Sequence, residues 1–125
     1  MPKRVLDVGN CVPDHAAIRR MLETTYRAEV TQVDDGPAAL AALQREPFDL
    51  VLVNRKLDMD YSDGLDIIKQ IKADPKLAAV PCMLITNYPD QQQIAVQAGA
   101  EPGFGKKELH TDITKSRLAK ILAER

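Results

Sequence analysis

Cysteine and histidine are scarce in this 125-residue chain, with two of each. Cys11 and Cys82 lie far apart and form no Cys-x-x-Cys pair. Cys82 falls in an apolar run and reads as a small core residue. His15 and His110 stand alone without a cysteine cluster, so neither a structural metal nor a bound cofactor is expected. No apolar run approaches the ~18 residues of a membrane span, and no secretory leader pattern follows Met1. A cytoplasmic protein that meets no membrane is the expectation. An excess of charge is lacking too. Seventeen Lys and Arg face eighteen Asp and Glu, for a net charge of −1. No global field selects nucleic acid or an acidic lipid surface. Linkers, repeats and low-complexity stretches are absent, and Gln91-Gln92-Gln93 reads as an exposed helix start.

The residues present are an ordinary globular mixture, 45% hydrophobic and 28% charged. One domain over residues 1–125 is expected, long enough to fold without disulfide or metal. Five short apolar runs alternate with helical patterns. Arg4 to Val8 is the first run, closed by Gly9-Asn10; Pro13 then suits a first helical turn. Ile18, Met21, Leu22 and Thr25 follow at helical spacing. Ala28 to Val33 is the second run, closed by the turn Asp34-Asp35-Gly36, and Pro37 opens a helix with Leu40 and Leu43 on one face. Phe48 to Val53 is apolar without alternation, as in a strand covered on both faces. After a polar loop from Asn54 to Asp63, residues Gly64 to Lys72 read as a helix with Leu65, Ile68 and Ile71 inward, ended by Asp74-Pro75. Val80 to Thr86 is the fourth run. Asp90 to Ala98 is the next helix, with Gly99 as its cap. A glycine-rich fifth strand is expected near Gly103 to Lys106. Thr111 or Asp112 caps a last helix with Leu118, Ile121 and Leu122 inward.

This β-α alternation predicts an α/β fold, a doubly wound sandwich of five parallel strands with helices on both faces and right-handed crossovers. The flavodoxin-like order 2-1-3-4-5 is expected. Sites on such sheets lie beyond the carboxyl ends of the strands, here Gly9-Asn10, Asn54, Thr86-Asn87 and Lys106. Two other motifs fail. The segment Gly99 to Lys107 is one residue too long for a P-loop, lacks its Ser or Thr, and follows a helix. No GxSxG elbow or nucleophile beside a base is present, so no enzymatic activity is expected.

The strand ends resemble the response-regulator receiver (CheY-like) family over essentially the whole chain. Arg4 to Leu22, Phe48 to Ile71, Val80 to Asn87 and Gly99 to Lys106 carry the likeness. Asp63-Gly64-Leu65-Asp66 is similar to the family's Asp-Gly-Leu helix start. Gly99-Ala100 is similar to its Gly-Ala turn, with Lys106 at the family's lysine and Thr86 at its switch hydroxyl. The resemblance implies an aspartate at the third strand end that accepts a phosphoryl group, and two acids after the first strand that hold Mg²⁺. This chain departs at those positions. The phosphoacceptor position is Asn54, and the acid pair is Gly9-Asn10. Mg²⁺ wants hard, usually anionic oxygens, so a degenerate pseudo-receiver without bound metal is expected. The loop after Asn54 adds Arg55 and Lys56 and runs two residues longer than the family pattern.

Thr86 and Lys106 are retained pocket residues. A half-buried ammonium needs a partner. The candidates are the oxygens of Asn54 and Asn10, or Asp7, which stands in an apolar strand on the same face as Gly9. Asp7 is either a compensating carboxylate for Lys106 or the wet end of a short strand. Asn54 reads as a structural amide of the loop. Asp58, Asp60 and Asp63 read as a solvated acidic loop without EF-hand spacing.

Three functions follow. The first is an interaction module in bacterial-type signalling that takes no phosphoryl group. The second is a receiver using a displaced acid, Asp58 or Asp60. The third is a small-anion sensor using the emptied pocket. In the resembling family, signals leave through the fourth helix, fifth strand and fifth helix. That implies a protein partner or self-association at Tyr88, Phe104, Lys107, Lys115, Lys120 and Glu124. Tyr88 and Phe104 would be its apolar anchors if exposed; otherwise they pack in the core.

Overall fold

Four consecutive strand positions in the third run, Leu50 to Val53, leave no water-facing side, and the fold is arranged to cover both. In a computed structural model, which describes residues 2–123, the elements run as follows. They are β1 (Arg4–Val8), α1 (Val12–Tyr26), β2 (Glu29–Val33), α2 (Gly36–Arg45), β3 (Leu50–Asn54), α3 (Gly64–Ala73), β4 (Cys82–Ile85), α4 (Pro89–Gln97), β5 (Glu101–Phe104) and α5 (Asp112–Leu122). A single 3₁₀ turn, Lys106–Glu108, precedes α5. The five strands form one parallel sheet in the order β2-β1-β3-β4-β5.

Side-chain alternation splits the core in two. Leu6, Val8, Val51, Val53 and Leu84 pack against α2 and α3, with Ile68 and Ile71 at the centre. Val5, Leu50, Leu52, Met83 and Ile85 pack against α1 and α5, meeting Ile18, Leu22, Leu118 and Leu122. Alternation therefore also points Asp7 toward α1. Caps mark the helix starts: Asp35 accepts from Ala38 N, Asp63 from Leu65 N and Thr111 from Thr114 N. Gly99 has φ +109°, one residue beyond the end cap Ala98 of α4.

Some expectations need correction. Thr25 is exposed, because α1 turns its last polar positions to solvent. Ile121 is half-buried at the edge of the core. The fifth strand comes earlier than its glycines suggest, at Glu101–Phe104, and Lys106 opens the 3₁₀ turn instead of ending a strand. Glu124 lies outside the described residues.

The placement of β5 has a cause outside the strand. Between Met83↔Glu101 and Ile85↔Phe104, two steps of β4 match three of β5. Gln92 of α4 fills the irregularity. Its Nε2 donates to Leu84 O (2.8 Å) and Thr86 O (3.3 Å), and its Oε1 accepts from Gly103 N (2.9 Å). A side-chain amide thus stands where a ladder bond would be. Residue 103 must be glycine, since a Cβ there would lie 2.3 Å from Leu84 O. Gln92→Ala takes a partner from the Gly103 N–H and from the carbonyls of Leu84 and Thr86, an expected loss of about 2 kcal/mol, readable by urea denaturation and by faster hydrogen exchange at the Gly103 amide.

Candidate functional site

At the carboxyl ends of β3, β4 and β5 the sheet opens into a shallow pocket of about 170 Å³. Asn54, Arg55, Lys56, Ile85, Thr86, Asn87, Tyr88 and Lys106 line it. The fold thus brings Asn54, Thr86 and Lys106 together with Tyr88, and leaves Gly9 and Asn10 outside the lining.

Gly9 is where it is for a steric reason. Its φ is +79°, and a Cβ there would lie 2.4 Å from Leu57 Cγ. Leu57 is fully buried and packs into the space that a side chain at position 9 would need. The backbone closes the same contact, since Asp58 N donates to Gly9 O (2.9 Å). Asn10 is buried; its Nδ2 donates to Asp7 Oδ1 (2.5 Å), and its Oδ1 has no hydrogen-bond partner among the described residues. Asn54 Nδ2 donates to Lys56 O (2.7 Å) and, at the outer limit, to Gly9 O (3.5 Å). It ties the loop to the strand end.

Asp7 takes neither of its expected roles. It is completely buried, so the strand has no wet end there, and it does not pair with Lys106. His15 Nδ1 lies 2.6 Å from its Oδ2, one turn into α1, and Asn10 holds its other oxygen. Burial pushes the Asp7 carboxyl above its ordinary value, and the bonds from His15 and Asn10 offset part of that push. Lys106 instead meets Asp14, with Nζ to Oδ2 at 2.6 Å. The Lys106 hydrogen bond, then that of the Cys11 thiol (3.0 Å), holds Asp14 below the usual carboxylate range. The same bond to Asp14 raises the Cys11 thiol, while burial pushes Cys82 up to about 11.

The resemblance implies Mg²⁺, and these residues do not fit it. Position 9 has no side chain and no room for one. Asn10 and Asn54 offer only neutral amide oxygens, and the half-buried Asp14 carboxylate is held by Lys106. Among the described residues no cluster of three metal-ligating side chains occurs.

The loop after β3 is a small hairpin. Lys56 and Asp63 form an antiparallel bridge, Leu57 N donates to Ser62 O, and Tyr61 turns the chain at φ +57°. Asp60 accepts from Ser62 N and Oγ, and Asp63 caps α3. Asp58 and Asp60 are exposed and do not line the pocket. On the α4–β5–α5 side, Tyr88, Lys107, Lys115 and Lys120 are exposed. Phe104 is not; at 1% exposure it packs between the sheet and α5 and cannot anchor a partner. Lys120 shares a groove with Arg117, whose Nη1 donates to Gly103 O. Lys115 sits at the α1 border, where its carbonyl accepts the Tyr26 hydroxyl.

Sequence reasoning missed Asp14 and Leu57, took Gln92 as part of an exposed helix start where it is half-buried against the sheet, and passed over His15 as an isolated histidine. Helical phase puts His15 on the same face of α1 as Ile18 and Leu22, toward the sheet, without naming the strand residue it meets. No local signal links Lys106 to an acid 92 positions away.

The raised Asp7 pKa has a definite sign. The folded state binds this proton more tightly than the unfolded state, so the Asp7 contribution to stability falls as pH rises through the raised value. Ionised Asp7 is therefore a cost at neutral pH. The stability of Asp7→Asn relative to the parent is expected to be greater at neutral than at mildly acidic pH, measured by urea denaturation at both.

Comparison with known proteins agrees with this fold. Chemotaxis protein CheY-3 of Vibrio cholerae is 32% identical over 116 residues, covering 88% of this chain and 87% of that one. Among solved structures, Vibrio cholerae chemotaxis protein CheY4 superposes with a TM-score of 0.79 at 21% identity, over 98% of this chain and 100% of that one. A putative response regulator from Chloroflexus aurantiacus gives 0.79 at 20%, over 99% and 100%. The model of the response regulator receiver domain matches residues 11–117. With its strand order, its strand-end pocket and this match in agreement, the chain belongs to the response regulator receiver domain family.

Proposed function

We propose that this receiver domain works in signal transduction without taking up a phosphoryl group, as a module that acts by contact with protein partners. The observation that carries the reading is Leu57 beneath Gly9. Loss of an acid by substitution alone would leave an empty place for it. Here the place is filled by a buried apolar side chain, and the left-handed backbone at Gly9 disfavours any other residue. The Lys106–Asp14 ion pair supports the same reading, since the lysine already has an internal anion. The displaced-acid alternative finds little support, because Asp58 and Asp60 stand outside the pocket that holds Thr86 and Lys106.

Two outcomes are expected. Incubation with acetyl phosphate and Mg²⁺ leaves the intact mass unchanged, for the parent chain and for Asn54→Asp alike. Adding Gly9→Asp and Asn10→Asp to Asn54→Asp does not restore labelling, because the new side chain collides with Leu57 and loses stability, by about 2–4 kcal/mol. A phosphoryl adduct on the parent chain or on Asn54→Asp overturns the proposal.

The partner contact is placed on the α4–β5–α5 side. Tyr88→Ala and Lys120→Glu are expected to weaken association with a partner, or of the chain with itself, several-fold, with the circular dichroism unchanged. Pull-down and sedimentation read this out. If Arg19→Glu on α1 weakens association and these two do not, the face is wrong.

A further inference from the structure

The strand-end pocket has a composition that loss of phosphoryl chemistry does not by itself explain. Its wall carries Arg55, Lys56 and Lys106, two amides, a hydroxyl and Tyr88, and no carboxylate. Lys106 is shared with Asp14. Arg55 and Lys56 have no acidic partner among the described residues. They lie instead over tyrosine rings, Arg55 at 5.6 Å from the Tyr88 centroid and Lys56 at 5.8 Å from that of Tyr61. Two cations are thus held at the rim by aromatic faces, with their charge unopposed.

Among the polar groups of the pocket, Asn54 Nδ2 is committed to the loop carbonyl Lys56 O, while the Thr86 hydroxyl and the Asn87 amide accept from Tyr88 N and Lys107 N and keep their own protons for a ligand. A free inorganic anion would meet these and the cations in a shallow, solvent-open site, where charge contact alone is weak. A carboxylate borne on a peptide adds apolar contact to the same charge contact. Tyr88 is 59% exposed beside the pocket, and Met59 and Tyr61 are exposed on the neighbouring hairpin. Tyr61 holds a left-handed backbone that a bulky residue rarely adopts.

We propose that this pocket is a docking site for an acidic peptide segment of a partner protein. One Asp or Glu carboxylate of that segment sits among Arg55, Lys56 and Lys106, and its apolar neighbours lie on Tyr88. The inference rests on the reading that the pocket takes no phosphoryl group. With Lys106 already paired to Asp14, Arg55 and Lys56 are the cations left, a match for a single carboxylate rather than an acidic run.

The test is an amide NMR titration with three probes and no phosphodonor: the acetylated, amidated peptide Ser-Phe-Glu-Leu-Ser, its Gln counterpart, and inorganic phosphate at matched ionic strength. The Glu peptide is expected to bind about tenfold more tightly than the Gln peptide at low salt, with the preference shrinking as salt rises. Its shifts are expected at Arg55, Lys56, Asn87, Tyr88 and Lys106. Arg55→Gln with Lys56→Gln removes the preference, and Lys76→Glu, at an exposed position between α3 and β4, leaves it intact. Equal affinity for the two peptides, or shifts centred elsewhere, overturns the proposal. Phosphate binding as tightly as the Glu peptide also overturns it, in favour of a small-anion site. Because no phosphodonor is present, failure here is distinguishable from failure of the functional reading, which the mass experiment decides alone.

Discussion

The volume at the carboxyl end of β1 can hold one side chain, and Leu57 holds it. Everything at this end of the sheet follows from that exclusion. Gly9 has to be glycine, first because a Cβ would strike Leu57 and second because its φ is positive. Leu57 in turn sits on a hairpin whose bonds to Gly9 O and Ser62 O leave it little freedom. Filling the space with hydrocarbon removes the place where an anionic ligand set would assemble.

Two charged groups at this end, Asp7 and Lys106, are settled by partners from α1. Two of its first-turn residues do this: Asp14 neutralises Lys106, and His15 satisfies Asp7. Both contacts join α1 to the sheet, one through the β5 end and one through β1. Removing His15 would leave the fully buried Asp7 carboxyl with Asn10 as its one remaining side-chain partner, which costs more than the pair itself contributes. The arrangement makes α1 the element that balances Asp7 and Lys106.

On the opposite side, α4 is stitched to the sheet. Gln92 bridges β4 and β5, Asn87 binds Lys107 N, and Arg117 of α5 binds Gly103 O. These bonds run from side chains to backbone, so no change of charge at the pocket is needed to keep them. A face fixed this way suits a module whose partners recognise one conformation. Tyr88, at the junction of α4 and the pocket, belongs to both the face and the pocket.

The alternation of apolar runs with helical spacing specified five strands, five helices and their parallel order, because each run had to be covered on both sides. The same residues carried the family likeness: Asp63-Gly64-Leu65, Thr86, Gly99-Ala100 and Lys106 keep their spacing along the chain. Strand alternation put Asp7 on the face of Gly9 but could not say what it would meet. Only tertiary structure chose His15 for Asp7 and Asp14 for Lys106, and buried Phe104 while exposing Tyr88. It alone put Leu57 under Gly9 and slid Gln92 into the β4–β5 ladder beside Gly103, with β5 starting at Glu101. The physical reason is range. Periodicity and capping are local and legible within a few residues, whereas each of these contacts is decided by which distant side chain fills a given volume or neutralises a given charge.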